Sequence, residues 1–378
     1  MRRQAALRRI SKYSLPVIIV LALTVFTTAF TFVSAAPSQK PTKITRNDMR
    51  KSAKGKHGVS QPASASTHPK VANSGTSGSP IGSSTIPSKP AWVNKPLFAD
   101  PSNTATAYAK ANPSADGANF IARMGQMPVA QWFGDWNGNV TADANAYVSA
   151  AANAGAVPIL VAYNIPNRDC GGYSVGGAGG LSVYSNWVQQ LANGIANRTA
   201  VVILEPDALG ALDCLPASVQ AERTQSLAKA VSILKANPQT SVYIDAGTPV
   251  WQSAATMKTR LTAANVAAAD GFSLNVSYFS TTAANRGYGD QLSKLIGNKH
   301  YVIDTSRNGG NNSPTGMQCN PRWASLGQTP TTNTGSAVND GLLWIKIPWE
   351  SDGQCNGDPN PGVGFWSYAT QLARNAGW

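Results

Sequence analysis

The sequence predicts an α/β fold in which parallel strands curl into a barrel of the TIM type. Three observations predict it. Seven short runs rich in apolar residues recur at 129–133, 156–165, 200–204, 241–246, 271–276, 300–305 and 342–347. Ala-rich stretches with helical spacing lie between them, at 142–154, 183–196, 217–236, 254–269 and 283–296. The run at 200–204, AVVIL, is apolar throughout and is cut short by Pro206. Such a run reads as a strand buried on both faces, and proline cannot extend its ladder. Strands alternating with helices imply right-handed βαβ units and a parallel sheet. Seven or eight such units fit a barrel, complete or incomplete, with a doubly wound open sheet as the alternative.

The chain has 378 residues and a net charge of +13. Residues 1–90 hold 14 of the 31 Lys/Arg and one of the 18 acidic residues, which leaves 91–378 neutral. A nucleic-acid-binding domain needs a basic face on its folded part, so no nucleic-acid partner is expected. Residues 1–36 combine Arg2, Arg3, Arg8, Arg9 and Lys12 with an apolar run from Leu15 to about Val33, then SAAPS. That is the pattern of an export signal, long enough to act instead as a membrane anchor. Either way the expected location is extracellular. Residues 37–90 are rich in Ser, Pro, Gly, Thr and Lys and cannot bury a core. They read as a disordered basic linker, free to touch a cell wall or membrane surface. Residues 91–378 are enough for one large domain, and a monomer is expected.

The four cysteines, Cys170, Cys214, Cys319 and Cys355, all lie in that domain. An even number in an exported chain reads as a disulfide framework, with three pairings open. Their long spacing and a single domain histidine, His300, argue against a metal site. No cofactor is expected either. The chain has no G-x-G-x-x-G after the first strand and no Walker lysine motif. GGYSVGGAGG at 171–180 reads as a mobile loop.

The strand exits concentrate chemistry. They hold Trp132, Asp135 and Trp136, then Tyr163, Arg168 and Asp169, then Glu205 and Asp207. Asp245 and Trp251 follow, then Asn275 and Tyr278, Asp304 and Arg307, and Lys346, Glu350 and Asp352. In a parallel sheet all of these share one face. Of the domain's 17 acidic residues at least seven sit there, more than helix caps alone would place. A lone Asp207 reads equally well as a cap, and Asp169 as a salt-bridge partner of Arg168. Taken together, aromatic platforms with paired carboxyls are the ingredients of a site that binds sugars and cleaves glycosides.

YNIPNRDCGGYSVGGAG at 163–179 and VVILEPDALG at 201–210 resemble the two signature segments of glycoside hydrolase family 6. YIDAG, FSLNVS, VIDTSRNG and WIKIPWESDG follow in the family's order. The resemblance implies a distorted seven-stranded parallel barrel and inverting cleavage of β-1,4-glucan such as cellulose. It implies that Asp207 is the general acid, Asp169 the carboxylate that raises its pKa, and Asp352 the base. It places Tyr163 against the sugar at the cleavage point, Ser174 on the closing loop, and Asp245 as a substrate ligand or electrostatic helper. Trp132, Trp251, Asn275, Lys346 and Glu350 match glucose-binding positions. The implied disulfides are Cys170–Cys214 and Cys319–Cys355. Thr248 replaces a common histidine, which would weaken one hydroxyl contact. Trp349 replaces a usual glycine, which would narrow the cleft or add a platform. The short domain favours cleavage inside chains over release of cellobiose from chain ends. A glucan-binding wall protein is the alternative outside catalysis.

Overall fold

Apolar β-branched runs interrupted by Ala-rich segments produce a parallel seven-stranded sheet, each strand followed by helix or loop. A computed structural model of the chain describes residues 86–310 and 319–378. The expected leader and most of the basic linker lie outside the described residues. The strands are β1 (Gln131–Phe133), β2 (Ile159–Ala162), β3 (Ala200–Leu204), β4 (Thr240–Asp245), β5 (Gly271–Leu274), β6 (His300–Asp304) and β7 (Asn339–Leu343). They lie side by side in chain order, every pair parallel. Past the ends of the sheet, a parallel bridge joins Val129 to Trp344, and Trp132 Nε1 donates to Ile345 O at 2.8 Å. These contacts draw the two edges together into a distorted barrel, as expected.

Side chains of each strand alternate between two cores. On β3, Val202 and Leu204 face the helices, while Val201 and Ile203 face the barrel interior. All four are fully buried, each contributing about 1.5–3 kcal/mol. The helical layer comprises α3 (Val140–Asn153), α4 (Leu181–Ile195), α5 (Ala217–Lys235), α6 (Ala254–Ala263) and α7 (Thr282–Leu295). A third cluster joins α1 (Thr104–Ala111), α2 (Ala118–Gly125) and α8 (Trp366–Asn375), none of them anticipated, to Trp344 and Trp349. Asn103, Asn139, Ser253 and Thr281 cap α1, α3, α6 and α7 with their side-chain oxygens, worth about 1 kcal/mol each. No helix among the described residues is long and apolar enough to cross a membrane.

Three elements differ most from expectation. β2 keeps only Ile159–Ala162 of the expected 156–165. α6 stops at Ala263 rather than 269, just before Asn265 takes a left-handed φ of +59°. β7 begins at Asn339 rather than 342 and ends earlier, because Trp344 leaves the ladder to meet Val129. The polar start of β7 hid it: Asp340 is buried, but paired. His300 Nδ1 lies 2.7 Å from Asp340 Oδ1, and Tyr243 Oη donates to Asp340 Oδ2 at 2.7 Å. Trp92 Nε1 donates to Tyr243 Oη at 3.2 Å, and His300 Nε2 lies 2.9 Å from Pro87 O. The chain is thus tied to the barrel before residue 91.

Both ring nitrogens of His300 face acceptors, which suits the imidazolium. Burial pulls its pKa down, but Asp340 and the Pro87 carbonyl outweigh it, and the net shift is upward. A raised histidine gives stability that is full below its unfolded pKa and is lost as pH rises through the folded one. The melting temperature should therefore fall as pH rises through and beyond the ordinary histidine range. In His300→Gln that component should vanish; an unchanged pH slope in the variant would refute the assignment.

Candidate active site

The site is built where the strands stop. Pro206 ends β3, and the residues on either side, Glu205 and Asp207, are forced to φ of +53° and +70°. Left-handed conformations at non-glycine residues cost of order 1–3 kcal/mol each, so something must hold them. Glu205 is fully buried and its carboxylate accepts from the amides of Asn164 and Ile165 at 3.0 Å. Asp245, ending β4, accepts from the amides of Asp207 and Gly247 at 3.0 Å and from Ser273 Oγ at 3.1 Å. Asp304, ending β6, accepts from the amides of Ser277, Ser306, Ile345 and Lys346 at 2.9–3.2 Å. Each acid reaches sideways to a neighbouring strand's exit. Several carboxyls that the sequence grouped as site chemistry are therefore its scaffold.

Asp207 is held with its carboxyl inside this frame. Burial, then Asp245, Asp169 and Asp352, push its pKa well above the usual carboxylate range. Its Oδ1 is buried and has no hydrogen-bond partner among the described residues. Its surroundings favour the protonated form. Asp352 is the opposite case. Burial pushes it up, but Arg307 and Lys346 outweigh burial and hold it below the usual range. Arg307 Nη1 donates to Asp352 Oδ2 at 2.8 Å, Lys346 Nζ lies 3.7 Å from Oδ1, and the Asn320 amide donates at 3.1 Å.

Asp169 is half-buried, its pKa raised by burial against the pull of the Ser174 amide and Arg168. The alternative for Asp169, a salt bridge with Arg168, does not form. Asn167, Asp169 and Cys170 all have positive φ. Arg168 pairs with Asp135, while Asp169 Oδ2 accepts from the Ser174 amide at 2.6 Å. Tyr163 is buried beneath Arg168, whose guanidinium lies 4.8 Å from its ring centroid, and it meets Trp132 edge-on at 5.2 Å. Tyr173 of the Gly-rich loop crosses to Gly353, beside Asp352: a Cβ there would lie 2.4 Å from its ring. The loop thus reaches from Asp169 to the opposite wall. Disulfides Cys170–Cys214 and Cys319–Cys355 pin the two walls, each worth about 3–4 kcal/mol in the chain-entropy model.

The remaining expected residues divide. Trp251 is half-buried, packed over Gly210 and Gly247 and against Tyr278 at 5.4 Å. Lys346 faces Asp352 and Glu350. Burial pushes Glu350 up to about 7 against the attraction of Lys346. Asn275 differs from its expected role. It is fully buried, at φ +67°, donating to Asp304 O and accepting from the Ser280 amide, so it shapes the turn and offers no surface to a sugar. Asp245 likewise has its oxygens engaged by the amides of Asp207 and Gly247 and by Ser273. Trp349 is no platform: it is 2 % exposed in the third core and donates to Thr104 Oγ1. Thr248 is buried and donates to Ser280 Oγ at 2.8 Å. Unassigned from sequence were Tyr278, Asn320 and Tyr173. The ring of Tyr278 packs on Trp251, and its buried hydroxyl has no partner among the described residues. Asn320 exchanges two hydrogen bonds with Asp352; its place next to Cys319 was the available signal. No metal-holding group of acids, histidines and cysteines occurs among the described residues.

Residues 87–376 match the model of glycosyl hydrolases family 6. The chain is 46% identical over 292 residues to endoglucanase 1 of Streptomyces halstedii, covering 75% of this chain and 87% of the relative. It is 42% identical over 291 residues to endoglucanase A of Thermobispora bispora, covering 75% of this chain and 63% of that one. The solved structure of endoglucanase Cel6 from Mycobacterium tuberculosis, bound to a methyl-cellobiosyl-thio-cellobioside, superposes with TM-score 0.73 at 41% identity. It covers 76% of this chain and 99% of that one.

The amide-accepting acids make a stability prediction. Glu205→Gln exchanges one acceptor oxygen for an NH2 that faces the same amides. It should cost about 1–3 kcal/mol in denaturant unfolding. A variant as stable as the parent would show that Glu205 does not hold the β2 exit.

Proposed function

The chain belongs to glycosyl hydrolases family 6, and on that premise we propose that it is an extracellular endoglucanase cutting β-1,4-glucan with inversion. The observation that supports this most is the opposite titration of two carboxyls on one face, Asp207 raised and Asp352 lowered. Two acids pushed apart by their surroundings mark the proton donor and the charged partner of an acid–base pair. Protonated Asp207 delivers its proton to the glycosidic oxygen. Water attacks the opposite face of the sugar, and Asp352 receives its proton directly or through intervening water. Ionised Asp169 and Asp245 keep the proton on Asp207 until the leaving oxygen takes it. Tyr163, over Trp132, crowds the ring being cleaved. Trp251 offers a platform for a neighbouring glucose, and Lys346 and Glu350 hydrogen-bond its hydroxyls.

Cellulose-type glucan is the partner, in keeping with the ligand of the Mycobacterium tuberculosis relative, and export is by residues 1–36. Action inside chains agrees with relatives named endoglucanases at 42–46% identity.

Asp207→Asn should lower hydrolysis of unactivated glucan by roughly 10²–10⁴-fold while cello-oligosaccharide binding persists; undiminished turnover would remove Asp207 as the acid. The first-released sugar should be the α-anomer by NMR, and a β-anomer would exclude inversion. On carboxymethylcellulose, viscosity should drop well before many reducing ends appear. Ends rising with little loss of viscosity would indicate action from chain ends.

A further inference from the structure

Arg168 and Asp169 are neighbours in sequence with opposite charges, next to the acid, and they do not pair. What occupies Arg168 is Asp135, from the exit of β1. Asp135 Oδ1 accepts from Arg168 Nη1 at 3.0 Å, and its Oδ2 accepts from the Gly177 amide at 3.1 Å. The rest of the guanidinium is spent on backbone: Nη1 donates to Tyr163 O and Nε to Ser174 O, both at 2.8 Å. The chain at Gly176 lies flat on this pair, where a Cβ would sit 2.5 Å from Arg168 Nη2 and 3.0 Å from Asp135 Oδ2. Asp135 thus fixes both the charge beside the acid and the loop that crosses the site.

We propose that Asp135 is a positioning residue that keeps Arg168 out of a direct ion pair with Asp169, so that more of the negative charge of Asp169 acts on Asp207. The proposal rests on the reading of Asp207 as the general acid. The groups that face Asp207 are Asp245, Asp169 and Asp352, with the hydroxyls of Tyr163 and Tyr278 close to the same acids. Arg168 is the one cation acting on Asp169 among the described residues, and its field also reaches Glu205. Burial pushes Asp135 up, but the Gly177 amide and Arg168 outweigh it and keep it ionised. Freed from Asp135, Arg168 turns to Asp169, whose charge it already feels. The new pair is neutral overall, and Asp207 loses a like charge that helped it keep its proton.

The alkaline limb of the kcat–pH profile reads this directly, since there Asp207 gives up its proton. On a soluble cello-oligosaccharide, Asp135→Asn should move that limb to lower pH by about one unit, and Asp135→Glu should restore it. Arg168→Gln should not move it to lower pH, and Asp135→Asn combined with Arg168→Gln should behave like Arg168→Gln alone. A merely structural role would lower kcat or the melting temperature without moving the limb. An unmoved limb in Asp135→Asn, or a shift that survives in the double variant, would overturn the proposal. Asp207→Asn run alongside separates the two readings. If it is inactive while the Asp135→Asn limb stays put, only the role of Asp135 fails. If it hydrolyses normally, the acid assignment fails and the proposal with it.

Discussion

The structure depends on buried carboxylates that accept backbone amides across neighbouring strand exits. A parallel sheet leaves its strands ending side by side, with loops that must turn sharply away. Here those turns use left-handed residues: Glu205, Asp207, Asn275 and Ser277. Glu205 binds the exit of β2, Asp245 the exit of β3, and Asp304 the exits of β5 and β7. A carboxylate has about four acceptor positions and no donor, so it suits a place where several N–H groups converge. Charge-assisted bonds offset part of its desolvation, and burial still leaves Glu205, Asp245 and Asp304 with raised pKa values. The strain at the turns is what aims Asp207 into the site, and the amide bonds are what make the strain tolerable.

The same crowding sets the chemistry. A group of like charges in a buried place cannot all be ionised. The protein resolves this by distributing its cations unequally. Arg307 and Lys346 stand against Asp352, and Arg168 is claimed by Asp135. Asp207 receives none, and its pKa is raised. The placement of three cations leaves one carboxyl raised and another lowered. Glycines then let the covering loop lie close: Gly172 against Asp169, Gly176 against Arg168, and Gly353 under Tyr173. Any side chain at these three positions would displace a group of the site.

Much of this was legible in the chain. Continuous apolar runs and Ala-rich spacers specify the sheet, because a strand covered on both faces has no polar alternation to show. β3 is found with its full bounds, since Pro206 marks its end. The long segments around Asp169 and Asp207 identify the family without any structure. β7 was harder. Its first residues are polar and buried, and a pattern of apolar residues misses an Asp340 that is satisfied by His300 and Tyr243. Helices α1, α2 and α8 were missed for a similar reason: they cover the third core beside the barrel and interrupt no βα repeat.

What the sequence by itself determined is which residues stand at the strand exits, because covalent order and strand period place them there. Which of them face the substrate and which face the backbone was decided by the tertiary structure alone. Glu205 and Asp207 are two residues apart, and periodicity gives them one face, yet one is buried on amides and the other presents an unpaired oxygen. Asn275 reads as a sugar contact and Trp349 as a residue narrowing the cleft or adding a platform, and both are buried. Arg168 reads as the partner of Asp169 and is the partner of Asp135, from another strand. Hydrogen bonds and ion pairs are chosen by distance in space, and at a sheet edge the nearest group in space belongs to the adjoining strand.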